Sequence, residues 1–333
     1  MSVTLADVAR VAGVSKMTVS RALGNPGIVS EATLKRVQDA IARTGYVQNI
    51  LAGAFRSNRT RLITCLVPTI GAGSVFMDAV QSMSEEFKVA GYQVILGQCE
   101  YDAADEEQLV EGMLARRPEG LVLMGPVHSA KARRRLGEVG IPLVEAWAMA
   151  GKPIDSMVGF SHEQVGRDAA RYLFSKERRR IAVIATDEPR GILREQGFIK
   201  AARKLGLTGR NEPVPHWRCP TPSRLRHGRQ GAALLLDAHP DIDAIFCATD
   251  LVALGVLIEA RSRGLAVPRQ LAVVGFGDAD FAVDTDPSLT TVRVDSQALG
   301  RRVAAVLIDR IEGVAEAGYV EDVGFTLIER DSA

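Results

Sequence analysis

Apolar residues recur at helical spacing in three short segments at the start of the chain. In the first segment, Leu5, Val8 and Ala12 form one stripe over two helical turns. Thr4 and Asp7 fit a capping box at the amino end of this helix, in which each residue satisfies a free backbone N–H group. The pattern predicts a first helix that ends at the glycine in position 13, which suits the left-handed end of a helix.

The second segment, residues 16–23, follows Ser15, which is a good N-cap residue. Val19 and Ala22 share the inward face of this helix, whereas the outward face is polar and cationic. The outward residues are Lys16, Met17, Ser20 and Arg21. A third helix, capped by Ser30, follows a Gly-Asn-Pro-Gly turn, so the tight first turn predicts a helix-turn-helix that offers its second helix to a major groove. A small helical bundle with a polar face is the alternative interpretation of this spacing.

From residue 62 the pattern changes to short apolar runs separated by amphipathic segments. The runs are LITCLVP (62–68), QVILG (93–97), GLVLM (120–124), PLVEAW (142–147), SMVGF (156–160), RIAVIA (180–185), AIFCA (244–248), LAVVGF (271–276) and TTVRV (290–294). Helical candidates include residues 75–90, 163–175, 193–205, 225–238, 250–263 and 295–313. Continuous apolar strands between helices predict parallel sheets covered on both faces. The number of strands predicts two Rossmann-like subdomains, with a ligand cleft where the carboxyl ends of the strands meet.

Composition narrows the class of protein. The 333 residues are 47% hydrophobic and 24% charged, as in a globular protein of two or three domains. No apolar run approaches the roughly 20 residues that span a bilayer, and no apolar signal core begins the chain, so we expect a cytoplasmic protein. Residues 1–60 hold eight Lys/Arg and three Asp/Glu, whereas residues 61–333 hold 33 Lys/Arg and 37 Asp/Glu. A basic head on a mildly acidic body is typical of a DNA-binding module joined to another domain.

Residues that carry metal or enzymatic chemistry form no known motif in this sequence. The four cysteines have no paired spacing, so neither a zinc cage nor a disulfide framework is predicted. The five histidines show no metal-ligand spacing, and GxGxxG and Walker A strings are lacking. We therefore expect no metal, no cofactor and no enzymatic activity. A cytoplasmic sugar-metabolising enzyme is the alternative class.

Three strings in the head carry a specific resemblance: LADVARVAGVSKMTVSRAL at 5–23, VS at 29–30 and GYVQN at 45–49. They closely resemble the DNA-binding head of the lactose-repressor/galactose-repressor family of transcription regulators. The resemblance implies that Lys16, Met17 and Arg21 read base edges. It also implies that small hydroxyl residues hold phosphates or cap the helix, namely Thr4, Ser15, Thr18 and Ser20. Phosphate contacts set the salt-dependent affinity, whereas base contacts set the choice of sequence.

The segment after the head matches the family's hinge, a short helix that forms on DNA and inserts an apolar side chain into the minor groove. The resemblance places Asn49, Ala52 and Phe55 against the operator. Gln48 stands where the family usually has proline, and Phe55 stands where it usually has a leucine wedge. An aromatic ring can also part a base step and kink the duplex. The alternative is a plain linker with Phe55 packed against the body.

Five later strings resemble the same family's effector domain, which is similar to periplasmic sugar-binding proteins. The strings are GLVLM (120–124), GIPLVE (140–145), FCATDLVALG (246–255), GLAVPRQLAVVGFGD (264–278) and PSLTTV (287–292). The implied fold is an all-α helix-turn-helix head plus an α/β periplasmic-binding-protein-like body of two Rossmann-like subdomains. Because no heptad repeat follows the last strand, we expect a homodimer and not a tetramer.

The resemblance also implies domain boundaries. The head covers residues 1–47, a hinge helix and linker cover 48–60, and an effector-binding and dimerisation domain covers 61–333. Within this domain, the N-subdomain comprises about 61–160 and 291–322, and the C-subdomain comprises about 161–290 and 323–333.

An effector pocket is implied at the strand ends. Arg194, in GILREQGF, matches the family's effector-gripping arginine, whose flat fork binds a carboxylate or sugar hydroxyls in two parallel bonds. The other candidate effector-binding residues are Ser74, Phe76, Glu145, Phe160, Thr249 and Asp278. For each of them a structural role is the alternative.

One departure from the family bears on the effector. Sugar-binding members usually have an aspartate after the Gly-Phe pair at 275–276, but this chain has Gly277. Loss of this anion, with Arg194 retained, favours a negatively charged effector. VEAW (144–147) and GFGD (275–278) also resemble the gluconate-regulator branch.

We therefore expect a repressor that binds near-palindromic double-stranded operator DNA as a homodimer and responds to a gluconate-like sugar acid. A neutral sugar or a nucleoside is the alternative effector. The sequence leaves open whether the effector releases or promotes DNA binding.

Overall fold

The chain forms two structural units, Met1–Thr60 and Arg61–Ala333. The computed structural model describes residues 3–47, 59–70, 76–99, 103–125, 129–149, 151–207 and 213–333. Each unit is built around its own apolar core.

The first unit is a three-helix head. Its helices are α1 (Leu5–Ala12), α2 (Lys16–Gly24) and α3 (Glu31–Thr44), with a 3-10 turn at Pro26–Ile28. Val8, Val19 and Val37 come from the three helices and are buried together in one small core. The structure confirms the predicted helical head.

The second unit alternates strands and helices. Its strands are β1 (Leu62–Val67), β2 (Gln93–Gln98), β3 (Gly120–Met124), β4 (Leu143–Ala146), β5 (Ser156–Gly159), β6 (Ile181–Thr186), β7 (His216–Cys219), β8 (Ala244–Cys247), β9 (Ala272–Phe276), β10 (Thr290–Arg293), β11 (Val320–Asp322) and β12 (Thr326–Ile328). Its helices are α4 (Met77–Val89), α5 (Ala103–Leu114), α6 (Ala130–Val139), α7 (His162–Ser175), α8 (Pro189–Lys204), α9 (Leu225–Ala238), α10 (Asp250–Ser262) and α11 (Ser296–Ile311), and a 3-10 turn lies at Asp280–Ala282.

The strands form two sheets, in the orders β11-β5-β4-β3-β1-β2 and β12-β10-β9-β8-β6-β7. Neighbouring strands run parallel, except that β12 runs antiparallel to β10. Each sheet thus has a doubly wound order, in which the strand order reverses beside the first strand and ligands bind at the carboxyl edge. The two predicted Rossmann-like subdomains are confirmed.

The predicted N-subdomain range that starts at residue 291 needs correction. β10 (Thr290–Arg293) pairs with β9 and β12, so it belongs to the second sheet. The chain returns to the first sheet with α11, which packs against α4. The apolar run TTVRV predicts a strand, but the pattern of apolar residues does not show which sheet the strand joins.

One apolar cluster joins the two sheets. It includes Val122 and Val158 of the first sheet and Val183 and Val274 of the second. Because the cluster is continuous, the carboxyl edges of both sheets are held within a single packed body. Among the described residues, no helix has the length and hydropathy that a membrane span requires.

Candidate functional site

The outward face of α2 presents cations and an apolar side chain to solvent. Lys16, Met17 and Arg21 are exposed, and Met17 is 63% exposed. Neither Lys16 nor Arg21 forms an ion pair with any residue that the structure describes. Residues at these spacings lie on one side of a helix. Such a face can donate to base edges and contact a thymine methyl group in a major groove.

Small hydroxyl residues lie at the amino ends of α1 and α2. Ser15 Oγ accepts the Thr18 N–H at 3.0 Å and lies 2.9 Å from Thr18 Oγ1. Thr4 donates to Asp7 Oδ2 from its N–H at 3.0 Å and from its hydroxyl at 2.7 Å. These bonds, together with Arg10, hold the pKa of Asp7 below its ordinary value. Helix amino ends favour anions. This position is compatible with phosphate contacts by the hydroxyls, and those contacts stay a prediction.

Ser20 is half-buried on α2 and makes an interaction within the chain. The candidate hinge residues Asn49, Ala52 and Phe55, and the candidate pocket residue Ser74, lie outside the described residues. Their roles therefore stay predictions from the sequence.

The turn between α1 and α2 is braced by α3, a contact that the sequence did not indicate. Arg36 donates to the Ala12 carbonyl from Nε at 3.1 Å and from Nη2 at 2.7 Å, and Nη2 also donates to the Gly13 carbonyl at 2.8 Å. Gly13 has φ 64°, a left-handed conformation that glycine adopts without strain. Arg36 thus satisfies the carbonyls at the end of α1 and fixes the approach of α2.

In the second unit, the structure brings together three of the candidate effector-binding residues: Phe76, Phe160 and Arg194. Trp147, which follows β4, packs edge-on against Phe76 and Phe160, with ring centroids 6.0 and 5.4 Å apart. The Phe160 ring then lies 4.5 Å from the His162 ring. The group lies at the carboxyl ends of strands from both sheets, the position expected for a ligand site.

Arg194 is buried at the centre of this group. Its Nη1 lies 2.8 Å from His162 Nδ1, and its Nη2 donates to the Ala248 carbonyl at 3.3 Å. The guanidinium carbon lies 4.3 Å from the centre of the Phe276 ring, a cation–π distance. Arg194 is therefore held in one orientation by contacts on several sides.

Close packing of α7 and α8 makes the Arg194–His162 contact attainable. A Cβ on Gly166 of α7 would lie 1.9 Å from the Arg194 carbonyl oxygen. A Cβ on Gly197 of α8 would lie 2.0 Å from the Glu163 carbonyl oxygen. Because both positions lack side chains, the two helices approach closely enough to place His162 beside Arg194.

His162 is 1% exposed and neutral. Burial, followed by the charges of Arg194 and Arg190, lowers its pKa well below the ordinary value. Since a guanidinium only donates, Nδ1 accepts from Arg194 and the ring proton resides on Nε2. Nε2 is buried and has no hydrogen-bond partner among the described residues.

Glu188 and Arg190 belong to the same group, although neither was a candidate. Glu188 caps α8 by accepting the N–H groups of Gly191 at 2.6 Å and Arg190 at 3.0 Å. The Arg190 Nε donates to Glu188 at 3.2 Å, and its guanidinium lies 5.5 Å from the Phe76 ring. Burial alone would raise the pKa of Glu188, but Arg190, Arg194 and the hydrogen bonds outweigh it, so the pKa is lowered. The carboxylate is thus ionised between two cations.

The remaining candidates are used in other contacts. Glu145 accepts from Arg133 at 2.9 Å and from the Ile154 N–H at 2.6 Å. Thr249 caps α10, where its hydroxyl accepts from Val252, and lies 3.4 Å from Ser223 Oγ. Asp278 binds Arg293 and also Arg330, the latter at 2.7 Å. The contacts of Glu145 and Asp278 support the structural alternative for these two residues, and neither contacts Arg194.

Five residues of the group were not candidates: Trp147, His162, Glu188, Arg190 and Phe276. Phe160 was a candidate because it stands at the end of a predicted strand. Trp147 and Phe276 stand at the ends of predicted strands too, so the same criterion could have identified them. His162 reaches Arg194 only through the packing of α7 against α8, and Arg190 meets Phe76 only in the folded unit. In the described ranges, no cluster of His, Cys, Asp and Glu is arranged to hold a metal ion.

Residues 4–49 match the model for bacterial regulatory proteins of the lacI family, and residues 170–333 match a periplasmic binding protein-like domain. The chain is 36% identical over 330 residues to the HTH-type transcriptional regulator GntR of Pseudomonas aeruginosa, covering 99% of this chain and 95% of that protein. A LacI-family regulator from Silicibacter pomeroyi superposes with a TM-score of 0.91 at 32% identity, covering 99% of both chains. The lac repressor dimer bound to operator and the anti-inducer ONPF superposes with a TM-score of 0.84 at 25% identity, covering 100% of this chain and 99% of that chain.

Proposed function

This chain belongs to the lacI family of bacterial regulatory proteins, and we propose that it is a homodimeric repressor controlled by a sugar acid. It is a DNA-binding transcriptional regulator, like its relatives. The operator is near-palindromic double-stranded DNA, because a two-fold dimer presents two identical heads to successive major grooves.

The observation that carries the DNA-binding proposal is the exposed α2 face. Lys16, Met17 and Arg21 protrude from a helix whose opposite side is fixed in the core by Val19 and Ala22. A rigid helix with uncovered cations suits base readout, since the core determines which side chains reach the groove. Asn49, Ala52 and Phe55 of the hinge extend this contact into the minor groove.

Arg21→Ala tests this proposal. We expect specific affinity to fall by about 1–3 kcal/mol, the value of one good base contact. The measurement is a fluorescence-anisotropy titration on a duplex selected from a random pool, with random duplex as competitor. Arg43→Ala removes the same charge from the exposed side of α3 and serves as the matched control. A wild-type protein that prefers no duplex over the random competitor would overturn the proposal.

The effector proposal is supported by the buried cations at the strand ends. Arg194 and Arg190 lie against the faces of Phe276 and Phe76, within a group that almost excludes water. A carboxylate suits the guanidinium fork, and the C–H faces of a polyhydroxy chain suit the aromatic rings. A gluconate-like sugar acid combines these features. A neutral sugar or a nucleoside would leave the charge of the arginines without a partner from the ligand.

Effector binding would act on the hinge through the arrangement of the two sheets. If the bound and free forms prefer different hinge arrangements, the coupling is about 1–3 kcal/mol and is reciprocal between DNA and effector. A thermal-shift screen of sugar acids, neutral sugars and nucleosides, repeated with operator DNA, identifies the effector class and the sign of the response. Product analysis of the same mixtures by NMR tests the alternative of an enzyme. Turnover of any of these compounds would contradict the regulator assignment.

A further inference from the structure

Asp250 is a buried carboxylate on a segment that contacts the effector group. It is 2% exposed and is the first residue of α10. Two residues earlier, the Ala248 carbonyl accepts from Arg194 at 3.3 Å. The Asp250 carboxylate itself binds the turn that follows Phe276, whose ring centre lies 4.3 Å from the Arg194 guanidinium. This short segment therefore contacts Arg194 and also holds the turn beside its aromatic partner.

Two hydrogen bonds connect Asp250 to this part of the second sheet. Its Oδ2 accepts the Ala279 N–H at 2.6 Å, and its Oδ1 accepts the Thr291 hydroxyl at 2.5 Å. Thr291 Oγ1 also accepts the Asp278 N–H at 3.4 Å. The carboxylate thus joins the turn after β9 to β10. Both bonds favour the ionised form, because a carboxylate without a proton accepts at both oxygens.

Two glycines flank Phe276 and make the position of this carboxylate possible. A Cβ at Gly275 would lie 2.1 Å from Asp250 Oδ1, so the carboxylate packs directly against the backbone of β9. Gly277 has φ 126°, a conformation that glycine adopts without strain. Neither glycine adds a side chain that could hold the end of β9 in place. The turn after Phe276 therefore depends on the bonds that Asp250 accepts.

The charged groups around Asp250 act in opposite directions. Burial is the largest influence and, with Asp278, raises the pKa of Asp250 to about 6, although Arg330 and the hydrogen bonds lower it. Asp278 itself binds Arg293 of β10 and Arg330. Cys247 of β8 keeps its proton, because burial and the nearby Asp250 raise the pKa of its thiol. Asp250 therefore changes charge near pH 6.

The effector group does not share this titration. His162 is already neutral, because burial lowers its pKa well below the ordinary value. Glu188 is already ionised, because the arginines and hydrogen bonds around it outweigh burial and lower its pKa. A change of effector affinity near pH 6 would therefore report the charge of Asp250 and not the charge of these two side chains.

We propose that Asp250 is a positioning residue of the effector site, and that its ionised carboxylate keeps Phe276 and Arg194 in the arrangement that binds the ligand. This inference rests on the sugar-acid effector proposed above and adds how the site responds to acid. A proton on Asp250 would turn one accepting oxygen into a donor and weaken the bond to Ala279 or to Thr291. The effector then binds more weakly in acid.

Calorimetry of D-gluconate binding to the full-length protein between pH 5 and pH 7.5 tests this inference. Gluconate stays largely ionised over this range, since an ordinary carboxyl group has a pKa of about 4. We expect affinity to be about fivefold weaker at pH 5 than at pH 7.5, because most of the free protein carries the proton on Asp250 at pH 5. At pH 6, binding should release part of a proton, measured as a dependence of the binding heat on the ionisation enthalpy of the buffer.

The variant Asp250→Asn tests the residue itself, because its amide resembles the protonated acid. We expect gluconate to bind about tenfold more weakly than to wild type at pH 7.5, the limit for a fully protonated site, with a flat pH profile and no released proton. Asp237→Asn is the matched control, since it removes an acid from an exposed ion pair with Arg263 and should keep the wild-type profile. Thermal unfolding reports whether each variant folds.

The variant Thr291→Val tests the hydrogen bond without changing a charge. It removes the hydroxyl that donates to Asp250 Oδ1 and so favours the ionised form less. We expect the midpoint of the pH profile for gluconate binding to move to higher pH. An unchanged midpoint would contradict the assignment of the profile to Asp250.

The outcomes separate this inference from the function on which it rests. If wild-type protein binds no sugar acid at any pH, the sugar-acid effector is wrong and the inference falls with it. If gluconate binds equally at pH 5 and pH 7.5, the positioning role is wrong while the sugar-acid effector stands. The positioning role is also wrong if Asp250→Asn folds and keeps the wild-type profile. If that variant does not fold, proton release by wild type and the midpoint of Thr291→Val decide.

Discussion

The head and the body use arginine in opposite ways. Arg21 is exposed on α2 without an ion-pair partner among the described residues, whereas Arg194 is buried against His162, Phe276 and a backbone carbonyl. An exposed cation suits binding to a long polyanion such as DNA, because that binding depends on salt and tolerates mobility of the side chain. A buried cation serves a small ligand and must be oriented in advance, because its desolvation is costly. Substitutions of charged residues should therefore have larger effects in the body than in the head.

The largest effect is expected for Arg194→Ala. Its loss removes the donor to His162 and one of the two cations beside Glu188, and it removes the fork that a ligand carboxylate would bind. We expect effector affinity to fall by about 2–5 kcal/mol, the cost of truncating one partner of a buried charge pair. The measurement is calorimetry with D-gluconate.

The matched control is Arg203→Ala, an exposed position in the last turn of the same helix. Operator binding by effector-free Arg194→Ala should resemble wild type, since the head is a separate unit. Unchanged gluconate affinity in Arg194→Ala would remove this residue from the site and weaken the contrast between buried and exposed arginines.

A slightly smaller effect, on the free energy of unfolding, is expected from the titration of Asp250, the buried first residue of α10. Burial raises its pKa from 3.8 to about 6, although it accepts from Thr291 Oγ1 at 2.5 Å and from the Ala279 N–H at 2.6 Å. The folded state thus holds this proton more tightly than the unfolded state. The associated stability is present below pH 4 and is lost as pH rises to about 6, a change of about 3 kcal/mol.

Asp250→Asn should remove this dependence. Denaturant unfolding followed by tryptophan fluorescence reports the body alone, because Trp147 and Trp217 are the two tryptophans of the chain. The difference in unfolding free energy between wild type and variant should change by about 2 kcal/mol between pH 4 and pH 6.5, which covers most of the full effect. Parallel pH profiles would show that Asp250 titrates as an ordinary exposed acid.

The smallest effect is expected in the head, from Arg36→Gln. This change weakens the brace on the Ala12 and Gly13 carbonyls, which is partly exposed to water. We expect the turn between α1 and α2 to lose about 1 kcal/mol of local stability, as for a typical hydrogen bond. Hydrogen exchange of peptides covering residues 5–23 should become about fivefold faster.

Lys35→Gln removes the same charge from the neighbouring exposed position and should leave the exchange unchanged. Equal exchange in both variants would mean that the head does not depend on this contact. A loss as large as that expected for Asp250 would contradict the view that charged residues in the head contribute little.

Local signals account for the parts of the molecule that were predicted well. Ser15 and Ser30 cap helices in the structure, as their positions before apolar periodic segments predicted. The run at 120–124 forms β3, because a continuous apolar run between helical segments is typical of a buried parallel strand. Phe160 was selected as a residue at a strand end, and Trp147 and Phe276 obey the same rule.

The helical head, the strands of the body and the exposed cations of α2 follow from the amino-acid order alone, because caps, helical spacing and buried runs involve residues close along the chain. The assembled fold was needed to place β10 in the second sheet, His162 beside Arg194 and Phe76 beside Arg190. These neighbours come from strand ends and helices distant in sequence, and they meet only when two sheets and the closely packed pair α7 and α8 assemble. The spacing of apolar residues shows which face of a helix or strand is buried, but it does not show which other element packs against that face.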